Sequence, residues 1–292
     1  MSLSPRWQGV AWVVLSAIGF GAMAIFAKLA YQDGVDLATM LFLRFVIAGG
    51  ALACWGVLRG LSFPRGKPLV WLIAMGAIGY VGQSFSYFYA LKHASAGVVA
   101  LLLYLYPAIV VVMSALLFRQ AIGLGRALAV GLALAGTALT VGGDLQSEPI
   151  GIALGIAAAV IYSVYILAGE RVMSRTGPLQ AATVVMLSAA VVYGFASLYA
   201  GLTLPATAGG WAAVLAIAVF STLLAILGFF KGIERLGAAD ASTLSTLEPL
   251  VTLGLAALVL GETVMAIQLV GGGLILVAVI YLAREPVKPV KR

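Results

Sequence analysis

Charge is scarce in this sequence. Asp, Glu, Lys and Arg together make up 9% of its 292 residues, whereas a soluble domain carries about 25%. That deficit excludes a water-solvated surface of ordinary extent. With 63% hydrophobic residues and a mean hydropathy of +1.13, the chain reads as an integral membrane protein. There is one cysteine, Cys54, which excludes an intramolecular disulfide and a thiolate metal cluster. There is one histidine, His93, so no H-E-x-x-H motif can be built, and a serine–histidine pair would have to use a residue at the edge of an apolar run. A pair of deep carboxylates is missing as well, so an intramembrane enzyme lacks its parts. Neither a selectivity-filter motif nor a ring of charge suggests a channel. No cofactor is implied.

What is present is apolar sequence in long runs. Spanning a bilayer takes about 20 apolar residues per helix. Ten runs meet that length, at 9–30, 37–58, 68–90, 95–118, 124–143, 150–169, 179–200, 210–230, 240–260 and 264–283. The breaks are short, among them "QDGVD", "RGLSFPRGK" and "DLQSEP", and none could hold a soluble domain. The first run is too long for a signal peptide and nine more follow it. Lys and Arg set the orientation. Fourteen of the seventeen fall on one face, only Lys28 and Lys92 fall on the other, and Arg44 lies inside the second run. The rich face is expected to be cytoplasmic, with both termini inside. The net charge of +7 is then a topology signal and not a nucleic-acid footprint.

The chain is written twice. A shift of 142 residues carries Pro107 onto Pro249, Gly9 onto Gly151, Leu105 onto Leu247 and Gly131 onto Gly273. "GVAWVVLSAIGFGAMA" falls on "GIALGIAAAVIYSVYI" without a gap. Each half holds five runs, an odd number, so the second half must enter the membrane from the opposite side. The expected fold is therefore an all-α integral membrane protein of ten transmembrane helices. They form two inverted five-helix repeats, residues 1–143 and 150–292, within one membrane domain. Inverted repeats are a transporter architecture with the substrate near the midplane.

The stretches "YALKHASAGVVALLLYLYPAIVVVMSALLF" and "GIERLGAADASTLSTLEPLVTLGLAALVLGETVMAIQLVGGGLILVAVIYL" carry a resemblance. With "FLRF" around Arg44 and "LGE" at 260–262, the chain resembles the EamA family of the drug/metabolite transporter superfamily over its whole length. The first half departs from the pattern at Arg119-Gln120, where Gly-Glu would be usual. The resemblance implies a ten-helix secondary transporter of a bacterial inner membrane, exporting small metabolites such as amino acids. Other amphiphilic metabolites or drug-like cations are the alternative cargo. The implied partners are a small-molecule substrate and the lipid bilayer. No nucleic acid and no particular oligomer is implied.

Polar residues inside a bilayer face protein or a watery cavity, because lipid cannot satisfy them. At 100° per residue, Tyr80, Gln83 and Tyr87 share a face of the third run. Ser242, Ser245, Thr246 and Glu248 share an arc of the ninth, and Tyr162 and Tyr165 share a face of the sixth. The 142-residue shift places Phe20 and Met23 opposite Tyr162 and Tyr165. Tyr104 and Tyr106 precede Pro107. Together these are the candidate substrate-binding residues. Each hydroxyl has a plainer reading, a bond to its own helix or a packing contact. Pro107 and Pro249 are expected to kink mid-helix and free backbone carbonyls for the substrate. Burying the carboxylate of Glu248 costs about 2.5–3.5 kcal/mol or more. Two arrangements answer that cost: an ion pair with Arg44, or exposure to a water-filled path. Ala127, Gly131 and Ala135, with Gly271 to Gly273, form small-residue seams for close packing.

Overall fold

The computed structural model describes residues 5–118, 123–143, 147–173, 176–236, 241 and 244–284. Its elements are α1 (Pro5–Gln32), α2 (Leu37–Leu58), α3 (Lys67–His93), α4 (Ala96–Leu103), α5 (Tyr106–Phe118) and α6 (Leu124–Gly142). They continue with α7 (Pro149–Met173), α8 (Pro178–Ala200), α9 (Ala208–Leu236), α10 (Glu248–Leu260) and α11 (Ala266–Arg284). The protein is an all-α, multi-span membrane bundle. Among the described residues eight stretches are long and apolar enough to cross a bilayer, with α4 and α5 together making one of them. Two shorter apolar helices lie within α10 and α11.

Helix is the only open choice for such a chain, because hydrocarbon offers no partner to a free N–H or C=O. The helix starts show how the remaining orphans are met. Asp36 accepts from the amides of Ala38 and Thr39 at the start of α2, and Thr207 accepts from Gly210 N at the start of α9. Gly66 adopts φ 65° ahead of α3, and Gly261 closes α10 in the left-handed region at φ 66°, where a β-carbon is strained.

The irregularities repeat. α4 ends at a turn formed by Tyr104 and Leu105, and a second turn at Thr246 and Leu247 precedes α10. Met75–Tyr80 in α3 and Ala216–Leu224 in α9 are both wound as π-helix. A shift of 142 residues carries the first turn onto the second and the first π-segment inside the second. The prolines correct the expectation of mid-helix kinks. Pro107 and Pro249 each stand in the first turn of a new helix, α5 and α10. There the missing N–H is an orphan in any case.

α2 lies along α8, α6 along α11, α1 along α9 and α3 along α7, while α4 meets α10. The α6–α11 crossing brings two glycine backbones into direct contact. A β-carbon on Gly136 would stand 2.6 Å from the Gly271 carbonyl oxygen, and one on Gly271 would stand 2.5 Å from that of Gly136. The seam thus runs through Gly136, not Gly131. Ala127, Gly131 and Ala135 are on the exposed side.

At one end of the bundle the loops are tied together. Asp33 accepts from the Thr207 hydroxyl (2.6 Å) and from Ala206 N (2.9 Å), and the Thr203 hydroxyl donates to Asp36. Glu148 N donates to His93 O (2.7 Å), and the two side chains meet at 2.9 Å. Lys28 Nζ lies 2.8 Å from Glu262 Oε1. The same carboxylate accepts from Ala96 N at the start of α4. Negative charge is favoured at that helix start.

Candidate functional site

The two helix breaks meet in the interior. Pro249 has no N–H to give to the carbonyl of Ser245, which a regular helix would have bonded. Tyr104 supplies the substitute, its hydroxyl donating to Ser245 O at 2.7 Å. That carbonyl is therefore already taken and does not await a substrate, which corrects the expectation of free carbonyls there. The turn of one half caps the break of the other. α1 passes close by: a β-carbon on Gly21 would stand 2.7 Å from Glu248 O, and Thr252 Oγ1 donates to Gly21 O (2.8 Å).

Aromatic rings run outward from this junction. Tyr104 and Tyr106 have centroids 6.3 Å apart, Tyr106 and Tyr162 4.9 Å, and Tyr162 and Tyr165 6.1 Å. Tyr165 and Tyr80 follow at 6.0 Å, Tyr80 and Phe45 at 5.3 Å, and Phe45 and Tyr193 at 5.8 Å. Tyr162–Tyr165 and Phe45–Tyr193 are stacked, and the other pairs are tilted or edge-on, arrangements that ring quadrupoles favour. Glu248 is half-buried and bears electrostatically on the hydroxyls of Tyr87, Tyr104, Tyr106 and Tyr162.

The structure therefore brings Tyr80, Tyr104, Tyr106, Tyr162, Tyr165 and Glu248 into one neighbourhood. Tyr87 is buried, edge-on to Phe88 at 5.3 Å. Gln83 is buried and makes no hydrogen bond among the described residues. Met23 packs on the main apolar core and Phe20 is half-buried; neither joins the ring series. Ser245 Oγ donates to Ala241 O (3.1 Å) and Thr246 is buried. Ser242 lies outside the described residues. Sequence reasoning missed Phe45 and Tyr193. The signal for Tyr193 is its spacing from Met186, Ala189 and Ala190, all on the buried face of α8.

Arg44 and Glu248 do not form an ion pair. Among the described residues the contacts of basic groups with carboxylates within 4 Å are Lys28–Glu262 and His93–Glu148. Arg44 is held elsewhere. Its Nε donates to Thr222 Oγ1 (3.0 Å), and its guanidinium lies 4.8 Å from the Phe45 ring centroid and 5.1 Å from that of Phe88. The π-wound turn of α9 sets this up, since Thr222 in turn donates to Ile217 O five residues back (2.8 Å).

The neighbourhood thus offers an aromatic wall and one carboxyl group, with the Arg44 guanidinium against Phe45 at one end of the ring series. Among the described residues no group of His, Cys, Asp or Glu could hold a metal ion. Rings beside a carboxyl group suit the binding and release of a small amphiphile.

Comparison with known proteins agrees. The profile of the EamA-like transporter family matches residues 7–142 and again 149–284, so both ends of the match are displaced by 142 residues. The chain is 27% identical to an uncharacterized inner membrane transporter, YedA, of Escherichia coli K12, covering 85% of this chain and 83% of that one. It is 27% identical to an uncharacterized transporter of Synechocystis, over 80% and 73%. It is 26% identical to a protein of Streptantibioticus cattleyicolor named a probable terminal-alkyne amino-acid exporter, over 96% and 93%. A solved crystal structure at 23% identity superposes with a TM-score of 0.68, covering 96% of this chain and 98% of that one, a likeness of fold. The chain belongs to the EamA-like transporter family and is a secondary membrane transporter of small molecules, not an enzyme.

Proposed function

We propose that this protein exports amino acids across a bacterial inner membrane by alternating access. The observation that carries the cargo class is the pairing of an aromatic wall with a single carboxylate. Glu248 suits an ammonium group, and the rings of Tyr106, Tyr162, Tyr165 and Tyr80 suit an apolar side chain. The name of the Streptantibioticus relative is in keeping with this cargo. Amphiphilic cations are the second reading, favoured by the same carboxylate and rings.

Alternating access rests on two inverted repeats of five helices, 1–143 and 150–292, counting ten spans in all. The matched π-segments and matched helix breaks support a repeat. The meeting of His93, at the end of α3, with Glu148, at the start of α7, supports opposite insertion of the halves. Two similar units placed upside down have two nearly equivalent packings, each open to one side. Both termini are cytoplasmic in this reading, and the tied loops face out. Pro107 and Pro249 mark where the packings exchange.

Two measurements test the proposal. Cells that overproduce the protein should release more amino acid and withstand a higher load of toxic amino-acid analogues. Cysteine at Leu204, in a Cys54→Ala background, should react with an impermeant reagent from outside, and cysteine at Ser62 should not. Unchanged release would refute the cargo, and the reverse labelling would refute the orientation.

A further inference from the structure

Arg44 is 3% exposed and sits within a membrane-spanning helix. Five N–H groups radiate from a guanidinium. Among the described residues one is used, Nε–H to Thr222. The other four, on the two terminal nitrogens, meet no acceptor, and no carboxylate lies within 4 Å. Yet these nitrogens are not sealed. The sealed and unpartnered side-chain polar atoms among the described residues are Thr140 Oγ1 and Ser221 Oγ. The forked end of Arg44 is therefore unpartnered while open to the residual space of the interior.

A buried cation without a counter-charge is costly, so the fork is incomplete as it stands. Its two rings, Phe45 and Phe88, offset part of the charge through their faces but accept no in-plane hydrogen bond. What fits four coplanar N–H groups is a carboxylate, which takes two of them side by side. The Phe45 ring beneath the guanidinium also packs against Tyr80 at 5.3 Å, so the fork borders the same series of rings that reaches Tyr104 beside the Glu248 turn.

We propose that Arg44 is the carboxylate-receiving end of the central site, opposite Glu248 as the ammonium-receiving end. The ligand class this selects is a free zwitterion, over amines, esters and amides that lack the negative end. The inference deepens the amino-acid reading and rests on it for the ammonium end only. The anion end stands on Arg44 alone. Thr222 is a positioning residue, holding Nε and with it the direction of the fork.

Calorimetry on the purified full-length protein, with phenylacetate and phenethylamine as separate probes, tests this. Phenylacetate should bind the wild type, lose about tenfold or more in Arg44→Gln, and be unaffected by Glu248→Gln. Phenethylamine should show the reverse dependence. Should Arg44→Gln fail to fold, Thr222→Val keeps the cation but frees Nε, and should weaken phenylacetate several-fold and leave phenethylamine unchanged. Phenylacetate that does not bind the wild type, or binds Thr222→Val as tightly as wild type, overturns the assignment. If phenylacetate depends on Arg44 while liposomes carry no amino acid, the export reading falls and the anion site stands. If amino acids are carried and phenylacetate ignores both variants, the anion site falls and the export reading stands.

Discussion

Replacing Glu248 by glutamine removes the carboxyl group of the ring neighbourhood, which no basic side chain contacts among the described residues. Glutamine keeps the shape and a hydrogen-bonding end, so the contacts with the Tyr104 and Tyr106 region should survive. A charge-assisted hydrogen bond to a substrate ammonium contributes about 1.5–3 kcal/mol. At about 1.4 kcal/mol per factor of ten, the half-saturation concentration for an amino acid should rise roughly 12- to 150-fold. Stability should barely move. Breaking a buried ion pair typically costs about 3–5 kcal/mol, but Arg44 is not paired with Glu248, so the substitution breaks no such pair. Flux into liposomes and thermal unfolding of the same preparation separate the two effects. Wild-type half-saturation in Glu248→Gln would refute the ammonium role. A stability loss of about 3–5 kcal/mol would refute the separation of Arg44 from Glu248.

Three further substitutions follow from the geometry. Tyr104→Phe leaves the Ser245 carbonyl without its donor, costing about 1–3 kcal/mol. Adding Pro249→Ala restores an N–H to that carbonyl and should recover part of the loss in thermal unfolding. Gly136→Ala forces the α6–α11 crossing apart and should cost about 1–3 kcal/mol, whereas Gly131→Ala meets nothing within 4 Å and should be neutral or slightly stabilising. Asp33 is held below the ordinary carboxylate range by the Thr207 hydroxyl first; desolvation, next in size, opposes it, and the amides of Thr207 and Ala206 add to the lowering. A depressed folded-state value means a stabilisation present above the ordinary range and lost as pH falls through the lowered value. Unfolding temperatures of wild type and Asp33→Asn should therefore differ at neutral pH and converge in acid.

Much of the architecture could be read from residue order because lipid leaves the backbone few options. Apolar length gave a multi-span helical bundle, with eight long spans among the described residues, and the 142-residue shift that pairs Leu105 with Leu247 also pairs the turns at Tyr104–Leu105 and Thr246–Leu247. The prolines were misjudged because a proline inside an apolar run reads as a kink; only the preceding turn shows that Pro107 and Pro249 begin helices. The π-segments leave no mark in hydropathy, so the reach of Thr222 to Arg44 could not be foreseen. The Arg44–Glu248 pair was a depth argument, and depth does not tell which face of the bundle a side chain turns to. Tyr80, Tyr162 and Tyr165 were legible from spacing on their own helices. Phe45 and Tyr193 join them through contacts between helices far apart in sequence. Lys28 and Glu262, 234 residues apart, are of the same kind.

Counterflow tests the central claim most directly. Liposomes holding the purified protein are loaded with unlabelled phenylalanine and diluted into a trace of labelled phenylalanine. A carrier that alternates between two packings around one site should concentrate the label inside transiently, before it declines to equilibrium, and Glu248→Gln should blunt that peak. A label that only rises smoothly to equilibrium, or does not enter, would contradict the account.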